Sequence, residues 1–303
     1  MEKIISHKTH SEVSISPDTQ SIIDAIKNRV RNNSLNLILP LEDTLALVDE
    51  LAEFDLGRFL LHNRGLNGYW TSYIFTQQCD SEKEHPLKKW LMEDSLLSQA
   101  RERFHRFKCL LKSEISTAKT FASIPCGVMD DLLDQDYSHH SGIKIKGIDL
   151  DPESISHAKE KAKRVGLSNL CDFEIRDAWD LDYESVFDVI TSNGLNMYES
   201  APERLIALYS NFAKALKPGG RLYISFLTPP PQVGDAEWEK YGIPEEDLKR
   251  EFSIFGDILQ ATYLNFVSEE EIRHQMQVAG LQVTDVFYNE RGVLPVLKAV
   301  KPS

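Results

Sequence analysis

Residues 143–166 read IKIKGIDLDPESISHAKEKAKRVG and change periodicity halfway. From Ile143 to Leu150 apolar and polar residues alternate with the period of two that marks a β-strand. Asp151 then stands before Pro152, pairing an N-cap acceptor with a proline at the first helical position. Good helix formers follow over Glu153–Val165, and Gly166 supplies the C-cap. Together these residues predict a strand that passes directly into a helix.

The same alternation continues on both sides. Upstream, Thr120–Ile124 is a short apolar run and Val128–Leu133 has a helical pattern. Downstream, Leu170–Ile175 and Val186–Thr191 are strand candidates, and Pro202–Leu216 is a helix. Lys217-Pro218-Gly219-Gly220 is a turn, and Arg221–Leu227 is a strand. A helix over Glu269–Ala279 ends at Gly280, before strands at Val283–Phe287 and Val293–Val300. Alternation of this kind builds a parallel sheet with helices on both faces. The last two strands are joined only by Asn289–Gly292, so they form an antiparallel hairpin. The expected fold is α/β: a doubly wound, mostly parallel seven-stranded sheet with a C-terminal antiparallel hairpin.

Before Ser116 the texture is helical. Ser16-Pro17-Asp18 offers cap chemistry for a helix reaching Val30, and another starts after Pro40. Asp55–His62, Leu66–Thr76, a segment opened by Pro86, and Ser95–Leu111 complete the set, with no alternating strand before Thr120. Two domains follow from this: a helical segment over 1–115, and a sheet domain over 116–303 with a lid-like insert at 228–265. Pro229-Pro230-Pro231 carries that insert rigidly out of its strand, and Trp238, Tyr241 and Phe252 are expected to pack there.

With 42% hydrophobic and 27% charged residues, the 303-residue chain has the composition of a globular protein with a real core. A formal charge of −13 argues against non-specific binding to nucleic-acid phosphates. The apolar run Leu37–Leu41 is far too short to span a bilayer, and Met1–Pro17 lacks the apolar centre of a secretory signal. Cys79, Cys109, Cys126 and Cys171 form no CxxC pair, which points away from zinc and disulfides and towards a cytoplasmic setting.

In a doubly wound sheet, ligands bind at the carboxyl ends of the strands, where strand order reverses. Four of those ends carry small or polar residues. After the first strand, Ser123-Ile124-Pro125-Cys126-Gly127 forms a tight turn whose glycine allows close backbone approach; an ordinary β–α turn is the alternative. Asp149 closes the second strand, where a carboxylate can accept both hydroxyls of a ribose. Because Asp151 is the better N-cap, Asp149 is left for a ligand. Asp177-Ala178-Trp179 follows the third strand and offers an acceptor for an adenine amine between apolar walls; a solvated turn aspartate is the alternative. Ser192-Asn193-Gly194 ends the fourth.

In this order and spacing, the chain from Thr120 onward resembles the class I S-adenosylmethionine-dependent methyltransferases. Lys146–Asp151 resembles their ribose-binding strand end, and Arg176-Asp177-Ala178 their adenine-binding turn. Phe187-Asp188-Val189-Ile190 resembles their fourth strand. Leu216-Lys217-Pro218-Gly219-Gly220-Arg221-Leu222 is similar to the signature before their fifth. The resemblance implies S-adenosylmethionine as cofactor, held by Ser123, Pro125, Cys126, Gly127, Asp149, Leu150, Asp177, Ala178, Ser192 and Asn193. The family's first-strand loop has an acid and alternating glycines. Here those positions read Ser123, Pro125, Gly127 and Met129, and Pro125 has neither glycine's freedom nor an N–H. Asp130, Asp131 or the N-terminal helices are the candidates to supply the missing carboxylate.

The resemblance also implies that the added segments, the helical cover 1–115 and the insert 228–265, lie over the cofactor and choose the substrate. Gly65–Tyr73 carries Tyr69, Trp70 and Tyr73, aromatics at helical spacing that can wall a pocket or pack a core. Arg58 and Arg64 are anion-anchor or surface residues. Tyr198, His62 and His85 are the groups to consider for a general base; no catalytic residue stands out, and Tyr198 joins the substrate residues. The acceptor is expected to be a small molecule, with no nucleic acid or membrane involved and an oligomer left open. A nicotinamide-dependent oxidoreductase would want GxGxxG, which PCGVMD at 125–130 does not supply. A non-catalytic binding protein on the same fold is the other alternative.

Overall fold

The structure is a computed structural model that describes residues 17–76, 84–229, 244–261, 265–289 and 291–303. Two compact units make up the chain: Met1–Ala100 with Pro231–Thr262, and Arg101–Pro230 with Tyr263–Ser303.

In the helical unit, α1 (Pro17–Asn32), α2 (Leu41–Ala52), α3 (Asp55–Asn63), α4 (Gly68–Thr76) and α5 (Pro86–Glu93) precede the start of α6 (Leu96–Glu114). Val30, Val48, Leu51, Leu56, Leu60, Ile74 and Leu91 form its interior. Gly57 lets α3 approach α2, since a β-carbon there would stand 2.0 Å from the Leu51 carbonyl oxygen. The described part of the expected insert, α10 (Glu245–Phe252) and a π-helical turn over Ser253–Ile258, belongs to this unit. Trp90 Nε1 donates to Asp247 at 2.8 Å, and Glu251 accepts from Leu96 N at 2.7 Å. Arg64 donates to the carbonyls of Leu259 (3.0 Å) and Gln260 (2.7 Å), capping the end of the turn. Arg58 donates to the Ala52 carbonyl at 2.8 Å and pairs with Asp55. Both arginines named as anion anchors thus hold backbone of this unit. Trp238 and Tyr241 lie outside the described residues.

The sheet unit has strands β1 (Thr120–Ser123), β2 (Lys144–Asp149), β3 (Cys171–Ile175), β4 (Phe187–Ser192), β5 (Leu216–Ser225), β6 (Gln282–Phe287) and β7 (Val296–Val300). Their order is β3-β2-β1-β4-β5-β7-β6, with β7 antiparallel to both neighbours and the other pairings parallel. The sheet and its terminal hairpin are those expected from the alternation of the sequence. Helices α7 (Asp130–Leu133), α8 (Pro152–Arg164), α9 (Pro202–Ala215) and α11 (Glu269–Val278) connect the strands. Side-chain alternation divides the core between the two faces. Phe121, Val189 and Tyr223 pack on one face with Phe107 and Leu111 of α6; Ala122, Ile190 and Leu222 pack on the other with α9 and α11. Inner strands buried on both faces need this continuous apolar character.

One expected turn is folded differently. Lys217–Gly220 lies inside β5 as an irregularity: Phe187 pairs with Leu216, and the ladder resumes only at Val189–Arg221. Gly219 adopts φ 72°, which turns the extra residues out of register without strain. Lys217 Nζ then reaches Asp188 at 2.9 Å. Burial works against ionisation of Asp188, but Lys217 and donors from Lys119 and Thr120 hold its pKa near 2. Among the described residues, no helix is long and apolar enough to cross a membrane.

Candidate functional site

Strand order reverses between β1 and β4, so their carboxyl ends and that of β2 share the edge where doubly wound sheets bind ligands. The loop after β1 is pinned on both sides. Ile124 N donates to the Thr191 carbonyl at 2.9 Å, and Cys126 N to that of Ile148 at 2.8 Å. The Ile124–Pro125 bond is cis, and Gly127 and Met129 have φ of 50° and 60°. Cys126 is buried in the core on the α6 face, and burial pushes its thiol well above the ordinary range. Gly127 N donates to Asp149 Oδ2 at 2.8 Å, so this N–H faces the acid rather than an open cleft.

At the end of β2, Asp149 is half-buried and accepts a second backbone hydrogen bond, from Asp151 N at 3.0 Å. Desolvation raises its pKa from 3.8 to about 6 against the pull of these donors. Asp151 is the N-cap of α8, accepting from Glu153 N and Ser154 N at 3.1 Å each, as the sequence suggests. With the Leu150 backbone as a further donor, the Asp149 carboxylate takes local backbone bonds and still keeps acceptor capacity for a ligand. Leu150, beside it, is 54% exposed.

A second acid packs against the end of β1 from eight residues on. Asp131, 4% exposed, accepts from Ser123 Oγ (3.2 and 3.3 Å) and from Thr191 Oγ1 at 2.6 Å. Desolvation lifts its pKa to about 6 despite the two hydroxyls. The neighbouring Asp130 is instead paired with buried Lys161, which also holds Asp134 at 2.5 Å.

Asp177, after β3, is exposed, and its Oδ1 accepts from Trp179 N at 2.9 Å, closing a local turn. Ala178 is buried, while Trp179 donates to the Arg204 carbonyl at 2.9 Å. Ser192 ends β4 fully buried, and Gly194 adopts φ 99° to start the turn Leu195–Tyr198. Ser192 Oγ and Asn193 Oδ1 are buried there without a hydrogen-bond partner, and the Asn196 side chain lies against the buried Tyr209 hydroxyl. Buried polar atoms are ordinarily satisfied, so orphans clustered at a strand end mark a place built for another group. Arg103 of α6, which sequence reasoning passed over, lies beside Gly194 and Met197. Its position on the apolar stripe of Ala100, Phe104, Phe107 and Leu111 was the available signal.

In the helical unit, Trp70 is buried with its ring 5.1 Å from Tyr73, 5.4 Å from Tyr69 and 5.6 Å from Phe59. Asn67 Oδ1 accepts from Trp70 N at 2.8 Å, capping α4. His62 contacts Thr19 Oγ1 at 3.1 Å; His85 caps α5 and lies 3.0 Å from Glu53. Among the described residues, no group of His, Cys, Asp and Glu is placed to hold a metal.

A methyltransferase-domain family model matches residues 126–253. The chain is 32% identical over 139 residues to phosphoethanolamine N-methyltransferase 1 of Arabidopsis thaliana, covering 45% of this chain but only 27% of that relative. It thus spans about a quarter of that relative's length. The crystal structure of a possible exported protein from Bordetella parapertussis is similar throughout: 33% identity, a TM-score of 0.86, 96% of this chain and 100% of the other covered. Magnesium protoporphyrin IX methyltransferase from Synechocystis, solved with bound S-adenosylhomocysteine, is similar in fold alone, at 15% identity and a TM-score of 0.52 over 77% of this chain and 94% of that one. The domain match begins in the pinned loop at Cys126 and runs through Asp149, Asp177 and Ser192, so the strand ends built by these residues lie within a methyltransferase domain.

Proposed function

We propose that this chain transfers the methyl group of S-adenosylmethionine to a nitrogen, oxygen or carbon nucleophile of a small-molecule acceptor. The observation that carries the reading is the carboxylate of Asp149, raised in pKa to about 6 and tied to Gly127 across the cleft edge. Above that pH it is an anion with two oxygens in fixed positions, a donor-accepting pair that fits the vicinal hydroxyls of a ribose. Ala178 gives the purine an apolar wall and Asp177 an acceptor at its rim. Ser123, Pro125, Gly127 and Leu150 line the loop side, and the orphaned oxygens of Ser192 and Asn193 face the cofactor from β4.

When bound, the cofactor supplies a methyl on a sulfonium; a nucleophile's lone pair forms the new bond to carbon while the carbon–sulfur pair stays on sulfur, giving S-adenosylhomocysteine. What the protein contributes is alignment of the nucleophile and exclusion of water. Tyr69, Trp70, Tyr73 and Tyr198 are assigned to the acceptor side. A proton leaving a nitrogen or oxygen nucleophile goes to water or to a nearby base, and no side chain is assigned that role. The charge of −13 and the widely spaced cysteines support a small-molecule substrate and a cytoplasmic setting over nucleic acid.

Thermal denaturation with S-adenosylhomocysteine tests the reading. At roughly 100 times the dissociation constant the ligand stabilises the fold by about 2.7 kcal/mol. No shift at millimolar ligand overturns the enzyme assignment and leaves a binding protein on the same sheet.

A further inference from the structure

The loop that carries Gly127 leads into a helix too short to hold itself. Helix α7 has four residues, and its N-cap, Met129, sits at φ 60° with no side-chain capping bond. Isolated helices of that length are not stable in water, so contacts with neighbours must place α7. On the sheet side, Asp131 takes the hydroxyls of Ser123 and Thr191. On the other side stands Lys161 of α8, only 6% exposed. Its ammonium pairs with Asp130, the first residue of α7, and lies 2.5 Å from Asp134, the C-cap. Asp134 has a second cation, Lys108 at 3.1 Å. Burial works against ionisation of Asp134, but Lys161 and Lys108 hold its carboxyl below the ordinary range.

Lys161 therefore grips α7 at both ends. A buried ion pair is a poor source of stability, because desolvation of the charges offsets their attraction; what it can fix is position. The position at stake is that of the loop after β1. Helix α8 has its N-cap at Asp151, two residues after Asp149, and α7 begins three residues after Gly127. Joining α7 to α8 thus sets both ends of the 2.8 Å bond from Gly127 N to Asp149 Oδ2. Met129 packs against β2 between them, where a β-carbon on Gly147 would come 3.1 Å from its sulfur. The missing side chain of Gly147 permits that approach.

We propose that Lys161 is a positioning residue for cofactor binding: by holding Asp130 and Asp134 it keeps Gly127 and Asp149 in the spacing that a ribose requires. It touches no ligand and acts through Asp149. The inference rests on the methyl-transfer reading and adds to it the residue that holds the loop against the acid.

The test combines Lys161→Met with Asp130→Asn, which leaves no charge stranded, since Asp134 keeps Lys108. In the ligand-free chain, hydrogen–deuterium exchange quickens at least roughly tenfold over residues 124–129 and stays unchanged in β4. By calorimetry the double variant binds S-adenosylhomocysteine about tenfold more weakly. In an Asp149→Ala background the same pair of changes weakens binding less than about twofold, because the residue it acts through is already gone. A bridge that only stabilises would quicken exchange in β4 as well and weaken binding equally with and without Asp149. That result overturns the proposal, and so does unchanged exchange at 124–129 or unchanged affinity. If circular dichroism shows the double variant unfolded, Asp130→Asn alone decides by the same comparisons, at about threefold. If the wild type fails to bind S-adenosylhomocysteine while exchange at 124–129 responds as stated, the methyl-transfer reading falls and the grip of Lys161 on the loop stands.

Discussion

Two turns at the same edge of the sheet end in aspartate, and the fold treats them differently. Asp149, after β2, is half-buried, reaches across to Gly127 of the β1 loop, and has its pKa raised to about 6. Asp177, after β3, is exposed, and its carboxylate accepts locally from Trp179 two residues on. The first acid is placed by tertiary structure and kept partly unhydrated. The second is placed by its own turn and stays in water. Carboxylates that look alike in sequence thus differ in how much a ligand gains from them, because a charged hydrogen bond strengthens as competing water is removed.

The largest effect should come from the buried member. Asp149→Ala is expected to weaken S-adenosylhomocysteine binding by about 1.5–3 kcal/mol, the range for hydrogen bonds to a charged group. An unchanged calorimetric affinity would remove Asp149 from the site. The same contrast has a pH signature: wild-type affinity falls as pH drops through about 6, where Asp149 takes up its proton, whereas Asp149→Asn binds weakly at every pH. A wild-type profile that is flat from pH 5 to pH 8 breaks the link between burial and binding.

Stability should move in the opposite direction with pH. Asp131 and Asp149 both have folded pKa values near 6, above the ordinary 3.8. The folded protein therefore holds their protons more tightly than the unfolded chain. The stability they contribute is fully present below about pH 3.8 and is lost as pH rises through 6. Denaturant melts of wild type against Asp131→Asn should show the wild type losing ground to the variant across that window; a constant gap contradicts it.

Asp177→Ala should cost less than Asp149→Ala, about 0.5–1.5 kcal/mol of cofactor affinity, as expected for a hydrogen bond in competition with water. Equal losses for the two would erase the distinction between the turns. The smallest effect on the cofactor belongs to Tyr69→Phe and Tyr73→Phe. These should leave S-adenosylhomocysteine affinity within about twofold and alter turnover of the acceptor. A large loss of cofactor affinity there would contradict their assignment to the acceptor side.

Much of this edge was legible in the sequence because local rules govern it. The alternation in 143–150 and the Asp151-Pro152 cap fix where β2 ends and α8 begins, which leaves Asp149 at the strand end. The Leu216–Leu222 signature was recognisable, but its geometry was not: a Pro-Gly-Gly run reads as a free turn, and only the pairing of Phe187 with Leu216 makes it part of β5. Asp130 and Asp131 were both candidates in the sequence, but telling them apart needed the fold, which sets Asp131 beside Ser123 and Thr191 and pairs Asp130 with Lys161. The insert needed it too. Asp247 and Glu251 look like solvated helix residues until Trp90 and the start of α6 supply their donors. Arg103 was visible as a charge on an apolar stripe, but its neighbours Gly194 and Met197 are distant in sequence and needed the fold.

A co-crystal structure with S-adenosylhomocysteine tests the central claim most directly. The account predicts both Asp149 oxygens within about 2.5–3.0 Å of the two ribose hydroxyls, with the purine against Ala178. A nucleoside bound elsewhere, or an Asp149 side chain turned away from the sugar, would contradict it.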